Sequence, residues 1–205
     1  MKLAVAFALG YLRDPRRVGA IAPASRALAA AVASTARENH PALIIEAGAG
    51  TGAITAQIVH RCSGTQHIVV YERDARYANH LKERYPGLEI CNQCVSSARR
   101  LLREAGQPVS IVSSLPLLSM PQQEKRCCID TFLELLAQHP DSRLVQYTYA
   151  HPWQRPFSVV DANLHWRRTA TIWANLPPAH VWVLARHDAF SKRGDGGAVG
   201  EGTKL

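Results

Sequence analysis

Apolar residues along this chain of 205 residues fall into two kinds of stretch, short unbroken runs and longer segments with helical spacing. Leu43-Ile44-Ile45, Ile68-Val69-Val70-Tyr71, Ile111-Val112 and Leu144-Val145 belong to unbroken runs. Such runs are buried on both faces, and they predict strands near 42–47, 66–72, 88–92, 108–114 and 142–149. The intervening segments carry apolar residues three and four apart, as Ile54 with Ile58 does, and predict helices near 51–61, 74–85, 95–105 and 121–138. A helix between each pair of strands is the spacing of parallel crossovers, so the pattern implies a doubly wound α/β sheet with helices on both faces. Upstream, Ser25 is placed to cap an Ala-rich helix over 26–37. Residues 2–12 read as a short helix that is apolar almost all round and ends at Asp14-Pro15. After Tyr149 the rhythm changes. His151-Pro152-Trp153-Gln154-Arg155-Pro156 is a Pro-rich surface loop, and two strands near 165–174 and 180–186, joined by Asn175-Leu176-Pro177-Pro178-Ala179, form an antiparallel hairpin. The expected organisation is an N-terminal helical cap and candidate membrane-interface segment over 1–40, one α/β domain over 41–190, and a Gly-rich polar tail over 191–205, expected to be disordered.

The first strand run breaks into glycine: Leu43-Ile44-Ile45-Glu46-Ala47 is followed by Gly48, Gly50 and Gly52, alternating with Ala49 and Thr51. Glycine lets a backbone approach a ligand where a Cβ would clash, and the helix that follows offers unpaired N–H groups. The spacing G-x-G-x-G is neither the dinucleotide fingerprint G-x-G-x-x-G nor a P-loop, because no Lys follows it. Glu72 ends the second strand run, where an acid meets ribose hydroxyls in folds of this kind. In such sheets ligands lie at the carboxyl ends of the strands, which gathers Glu46, the glycine loop, Glu72 and the residues after 112 around one cleft.

Composition narrows the partners. The formal net charge of +8, with an isoelectric point near 9.6, favours nucleic acid or an anionic membrane surface and does not choose between them. Five cysteines make a disulfide framework improbable for a chain of this size. Cys91-x-x-Cys94 with Cys127-Cys128 invites a zinc reading. However, helical neighbours point about 100° apart, an awkward way to close a tetrahedron, so the cysteines read as packing residues in a reducing compartment. The nine histidines show no ligand spacing, and no metal site is assigned. No apolar run approaches the roughly 20 residues that span a bilayer. The opening imitates a signal peptide, but Arg13, Asp14, Arg16 and Arg17 stand between its apolar run and any cleavage site, and a signal is rejected. Flanked by Lys2 and these arginines, residues 2–12 describe an interfacial anchor or, equally, a helix capping the sheet.

Glu46-x-Gly48-x-Gly50-Thr51-Gly52 with Glu72 resembles motif I and the second-strand acid of class I S-adenosylmethionine (AdoMet) methyltransferases. The wider pattern is similar to the bacterial phospholipid N-methyltransferases, a branch related to ribosomal-RNA adenine dimethylases. It rests on Phe7, Gly10, Pro15-Arg16, Val18-Gly19-Ala20-Ile21, Pro23 and Ser25; on Ser114-Leu115-Pro116-Leu117-Leu118; on Gln146-x-Thr148-Tyr149; and on Asn175-Leu176-Pro177-Pro178-Ala179-x-Val181-Trp182. The resemblance implies a Rossmann-like, mostly parallel seven-stranded sheet closed by a C-terminal antiparallel hairpin, with AdoMet as cofactor. It implies cofactor contacts from Glu46, Gly48, Ala49, Gly50, Thr51, Gly52, Glu72, Arg73, Cys94, Ser113 and Leu115. Tyr11, Arg16, Pro116 and Leu117 fall on the lipid side, and Ser114, Tyr147, Tyr149 and His151 are the candidates to orient the amine or accept its proton. Cys94 stands where the family has an Asp that bonds the adenine amine, Ala49 replaces its loop Pro, and Tyr11 its N-terminal Trp.

The implied activity is N-methylation of phosphatidylethanolamine and its mono- and dimethyl derivatives toward phosphatidylcholine, by a cytoplasmic protein attached peripherally to the inner membrane. Base-modifying relatives carry Asn-Pro-Pro-Tyr or Asn-Leu-Pro-Tyr after the fourth strand, with a ring that stacks on the base. Ser113-Ser114-Leu115-Pro116-Leu117 has no ring, which suits a flexible apolar-tailed substrate. Ribosomal-RNA adenine N6-methylation and a non-catalytic AdoMet- or lipid-binding module stand as the alternatives.

Overall fold

The structure, a computed structural model, describes residues 24–187 apart from 63, 65, 105, 150 and 176, together with 189. The expected helix 2–12, Tyr11, Arg16 and the tail 191–205 lie outside the described residues. The first described helix, α1 (Arg26–Arg37), starts at Ser25, whose Oγ accepts from the Leu28 N–H at 3.1 Å, as its position before the Ala-rich run predicts. Then come β1 (Leu43–Ala47), α2 (Ala53–Arg61), β2 (His67–Tyr71), α3 (Ala75–Arg84), β3 (Glu89–Cys91), a 3-10 helix (Val95–Glu104), β4 (Val109–Ser113), α4 (Gln122–Ala137), β5 (Arg143–Thr148), β6 (Leu164–Ile172) and β7 (Ala179–Arg186).

One seven-stranded sheet has the order β3-β2-β1-β4-β5-β7-β6. The first five strands pair in parallel, while β7 runs antiparallel between β5 and β6. The expected hairpin is present, with its second strand inserted next to β5. Both faces are covered, so β1 and β4 are buried at every position. On one side α1, α2 and α3 contribute Leu28, Val32, Ile54, Ile58 and Leu81, which meet Ile44, Val70 and Val145. On the other, the 3-10 helix and α4 contribute Val95, Leu101, Phe132 and Leu135, which meet Ile45, Ile111 and Leu144.

Residues 95–105 were expected as an ordinary helix, yet 95–104 wind as a ten-residue 3-10 helix. Its buried residues explain the difference. Val95, Ala98 and Leu101 repeat every third position, which eclipses side chains along one line in a 3-10 helix and drifts off it in an α-helix.

The order reverses where β1 lies between β2 and β4, so the carboxyl ends of these strands diverge and leave a crevice. A polar latch ties the far side of this edge. The Ser25 hydroxyl donates to Asn175 Oδ1, and the Asn175 amide donates to Tyr149 Oη at 3.2 Å, joining the start of α1, the β6–β7 turn and the end of β5.

Candidate active site

The turn after β1 is shaped by three left-handed glycines, Gly48, Gly50 and Gly52, at φ +75°, +53° and +79°. They serve different ends. A Cβ on Gly48 would lie 2.9 Å from Leu115 Cδ2, and one on Gly52 would lie 2.6 Å from Leu81 Cδ2, so both positions are closed by packing. A Cβ on Gly50 would meet nothing within 4 Å, so its bare backbone faces open space. Gly52 caps α2 without any side-chain hydrogen bond, leaving the N–H groups of Ala53 and Ile54 without a side-chain cap beside the cleft.

Glu72 is buried at the end of β2, and its carboxylate organises this loop. One oxygen accepts from the Gly50 N–H at 2.7 Å, and the other from the Asp74 N–H at 2.8 Å. A carboxylate has about four acceptor sites, so two remain for hydroxyl donors on its cleft side. The Asn92 amide donates to the carbonyls of Glu72 and Arg73 at 2.9 and 3.0 Å, fastening the β2 loop to the β3 loop. At the rim Arg73 Nη1 pairs with Glu124 Oε2 at 2.5 Å, which spans from β2 to the first turn of α4.

Together these elements enclose a cleft of about 740 Å3, a volume ordinary for a cofactor site. Of the residues singled out in the sequence, Gly48, Ala49, Gly50, Thr51, Glu72, Arg73, Cys94, Ser114, Leu115, Pro116 and Tyr147 line it. Ser113 stands behind the wall, with its Oγ accepting from the Leu115 N–H at 3.4 Å. The Gln146 amide donates to the Leu115 carbonyl at 3.3 Å, so the lip after β4 is held from β5 as well.

Gly52 and Glu46 lie behind the glycine loop and, like Ser113, do not line the cleft, and three further predicted residues lie away from it. Leu117 is packed in the α4-side core, and its neighbour Leu118 is the exposed one, because the turn after Pro116 rotates position 117 inward. His151 is exposed and outside the cleft, where its Nδ1 takes the Trp153 N–H. Tyr149 packs edge-to-face on Tyr147, with ring centres 5.8 Å apart, and accepts from Asn175 rather than lining the cleft. Sequence reasoning missed Tyr77 of α3 and the segment Ser119-Met120-Pro121, which complete the walls. The lip after β4 is free of rings as expected, but Tyr77 and Tyr147 bring rings from neighbouring elements.

Glu46 sits beneath the glycine loop with no exposed surface. The Thr55 hydroxyl and backbone N–H face its carboxyl group, but neither carboxyl oxygen makes a well-formed hydrogen bond among the described residues. Burial pushes its pKa up to about 7; Thr55 offsets part of that cost, and the Glu72 carboxylate adds to it. At the cleft wall Cys94 Sγ lies 3.7 Å from Cys128 Sγ. Burial alone would push the Cys94 thiol up, but Ser96, Cys128 and Arg73 outweigh it and hold the thiol below its usual value. Burial, with the neighbouring Cys94, pushes Cys128 up to about 12.

No protein-family model matches the chain. The ornithine lipid N-methyltransferase of Singulisphaera acidiphila is 27% identical over 182 residues, which are 84% of this chain and 90% of that protein. Among solved structures, an O-methyltransferase from Bacillus cereus in complex with SAH matches with a TM-score of 0.59 at 9% identity, over 89% of this chain and 90% of the other. The 1,6-didemethyltoxoflavin-N1-methyltransferase of Burkholderia thailandensis matches at 0.56 with 13% identity, covering 90% and 87%. The 23S rRNA methyltransferase ErmE matches at 0.53 with 20% identity, covering 80% and 68%. Strand order, the antiparallel β7 and these likenesses agree: the chain has the class I methyltransferase fold.

Proposed function

We propose that this chain is an AdoMet-dependent N-methyltransferase that acts on the amine of a lipid headgroup. The observation that carries the reading is one cleft that joins the Gly50–Glu72 cradle to the Ser114-Leu115-Pro116 lip. The residues fit the donor. Open space over Gly50 admits its body, free acceptor sites on Glu72 suit ribose hydroxyls, and the uncapped start of α2 suits its carboxylate. When bound, AdoMet supplies an electrophilic methyl group on a sulfonium. Two structural neighbours, in complex with SAH or S-adenosylhomocysteine, and the lipid N-methyltransferase relative support the same donor.

The work left to the chain is positioning and proton handling. An amine near pKa 10 is charged in water and has no lone pair to offer, and an apolar wall of Leu115, Pro116 and Met120 disfavours the charged form. Ser114 and Tyr147 line the cleft, where their hydroxyls accept hydrogen bonds from the amine, orient it and relay its proton to solvent water. Phosphatidylethanolamine is the substrate we favour, with ornithine lipid suggested by the relative's name; both headgroups carry a primary amine. The apolar stretch 2–12, with Arg16, and the net charge of +8 in the sequence support work at an anionic membrane surface from the cytoplasmic side. No helix among the described residues is long and apolar enough to cross a membrane.

Incubation with labelled AdoMet and vesicles of phosphatidylethanolamine or ornithine lipid, followed by chromatography of the lipids, tests the proposal. Methylated lipid is expected, and no labelled lipid from any vesicle rejects it. The cleft rings Tyr77 and Tyr147 and the positive charge favour ribosomal RNA adenine as a second substrate class. Label in under-methylated ribosomal RNA and none in lipid would select it. Donor binding and vesicle binding with no turnover on either substrate would select the non-catalytic module.

A further inference from the structure

Two thiols face one another across elements far apart in sequence. Cys94 ends the loop after β3, Cys128 stands in the second turn of α4, and their sulfurs are 3.7 Å apart, in van der Waals contact. Both line the cleft. Cys127, one residue away, is exposed on the outer side of α4, so the helix presents one thiol to Cys94 and directs the other to solvent. We propose that Cys94 and Cys128 form a peroxide-reactive dithiol site that closes to a disulfide and narrows the cleft.

The chemistry balances with hydrogen peroxide as oxidant. Cys94 thiolate attacks the peroxide O–O bond, forming an S–O bond and releasing hydroxide, which takes a proton to become water. The Cys128 sulfur then attacks the sulfenic sulfur, breaks the S–O bond and forms S–S. The departing hydroxide leaves as water with the Cys128 proton. Two thiols lose two electrons and two protons, and the peroxide is reduced to water. The surroundings divide the roles in this order. Arg73, Ser96 and Cys128 favour the Cys94 thiolate, while Cys128 stays protonated until it resolves the intermediate. Cys94 is half-buried at the cleft wall, so a small oxidant reaches it through the cleft itself.

Closure from contact to bond length brings the sulfurs together by roughly 1.7 Å. The β3 loop gives way more readily than α4, whose Phe132 and Leu135 are locked in the core. The loop carries Asn92, which fastens the segment around Glu72 through the Glu72 and Arg73 carbonyls. A pull on Cys94 therefore reaches the residue that organises the glycine loop. The disulfide does not depend on the proposed donor; only its effect on binding rests on that reading, and the two are measured separately.

The full-length protein is treated with hydrogen peroxide and its peptides are mapped without reduction, alongside C94S, C128S and C127S. A Cys94–Cys128 linked peptide is expected in the unaltered protein and in C127S, reversible with dithiothreitol, and C128S stops at a sulfenic acid that dimedone traps at Cys94. A link to Cys127 or Cys91 instead, over-oxidation of Cys94 with Cys128 intact, or no oxidation overturns the dithiol site. Calorimetry with S-adenosylhomocysteine then compares reduced and oxidised protein. Affinity about tenfold weaker after oxidation, comparable to losing one hydrogen bond, is expected and returns on reduction. Equal affinity overturns the gate. No uptake by the reduced protein overturns the donor reading and the gate together, while the peptide map still decides the thiol pair.

Discussion

Replacing Glu46 by Gln isolates the most unusual group in the fold. Its carboxyl titrates at about 7 in the folded protein and at an ordinary 4.5 when exposed. Below pH 4.5 both states hold the proton, and the group does not bias folding. Between 4.5 and 7 the unfolded chain has released the proton that the native chain keeps. The unfolded state then binds fewer protons, and stability falls as pH rises. Above 7 the loss is complete at about 3 kcal/mol, the free-energy equivalent of the displacement between those two values. Gln has nearly the same shape and no charge, so E46Q lacks this loss. Urea unfolding of both proteins from pH 4 to pH 8 measures the difference directly, and other titrating groups cancel in the comparison. Near pH 4 the two proteins should lie close together, and by pH 8 E46Q should be more stable by about 3 kcal/mol. A difference that does not change with pH would show that Glu46 is not held neutral by burial, and the reasoning would fail.

The glycine positions separate binding from folding. Gly50→Ala should cost about 1 kcal/mol of stability, from its left-handed backbone alone, and reduce S-adenosylhomocysteine affinity. Gly52→Ala adds a contact with buried Leu81 and should cost about 2–3 kcal/mol by thermal or urea unfolding; equal stability of the two variants would contradict the assigned contacts. Leu117→Ala should destabilise by about 2–4 kcal/mol through a core cavity, whereas Leu118→Ala should change stability by less than about 0.5 kcal/mol. In turnover assays S114A and Y147F should lower kcat with little change in donor affinity, while H151A, outside the cleft, should leave both near the original; the reverse ranking would misplace the reacting end of the cleft.

The sheet could be read from the chain because its signals are local. Leu43 to Ala47 and Val109 to Ser113 are apolar enough to be buried strands wherever they are placed, and the glycine turn announces the ligand edge. That the glycine loop and Glu72 meet at one cleft was legible for the same reason, since each follows a recognisable strand, while the hydrogen bond from the Gly50 N–H to Glu72 was not. What sequence hid depends on rotation about an axis. Leu117 and Leu118 are chemically alike, and only the turn after Pro116 decides which one faces inward. The 3-10 winding of 95–104 was encoded in the three-residue spacing of Val95, Ala98 and Leu101, a signal close enough to α-helical spacing to be taken for it. The expectation that Cys127 and Cys128 diverge holds, since one is exposed and the other buried. The meeting of Cys128 with Cys94 was out of reach, because it depends on how α4 lies over the β3 loop across 34 positions. Tyr77 was missed because a half-exposed ring on a helix carries no spacing that distinguishes it from a surface residue.

Titration calorimetry with S-adenosylhomocysteine, on the unaltered reduced protein and on Glu72→Ala, bears most directly on the cleft. The account predicts one equivalent taken up by the unaltered protein, and affinity about tenfold or more weaker when the Glu72 carboxylate is removed, with the variant shown to be folded by its unfolding transition. No heat of binding from the unaltered protein, or undiminished affinity in a folded Glu72→Ala variant, would contradict it.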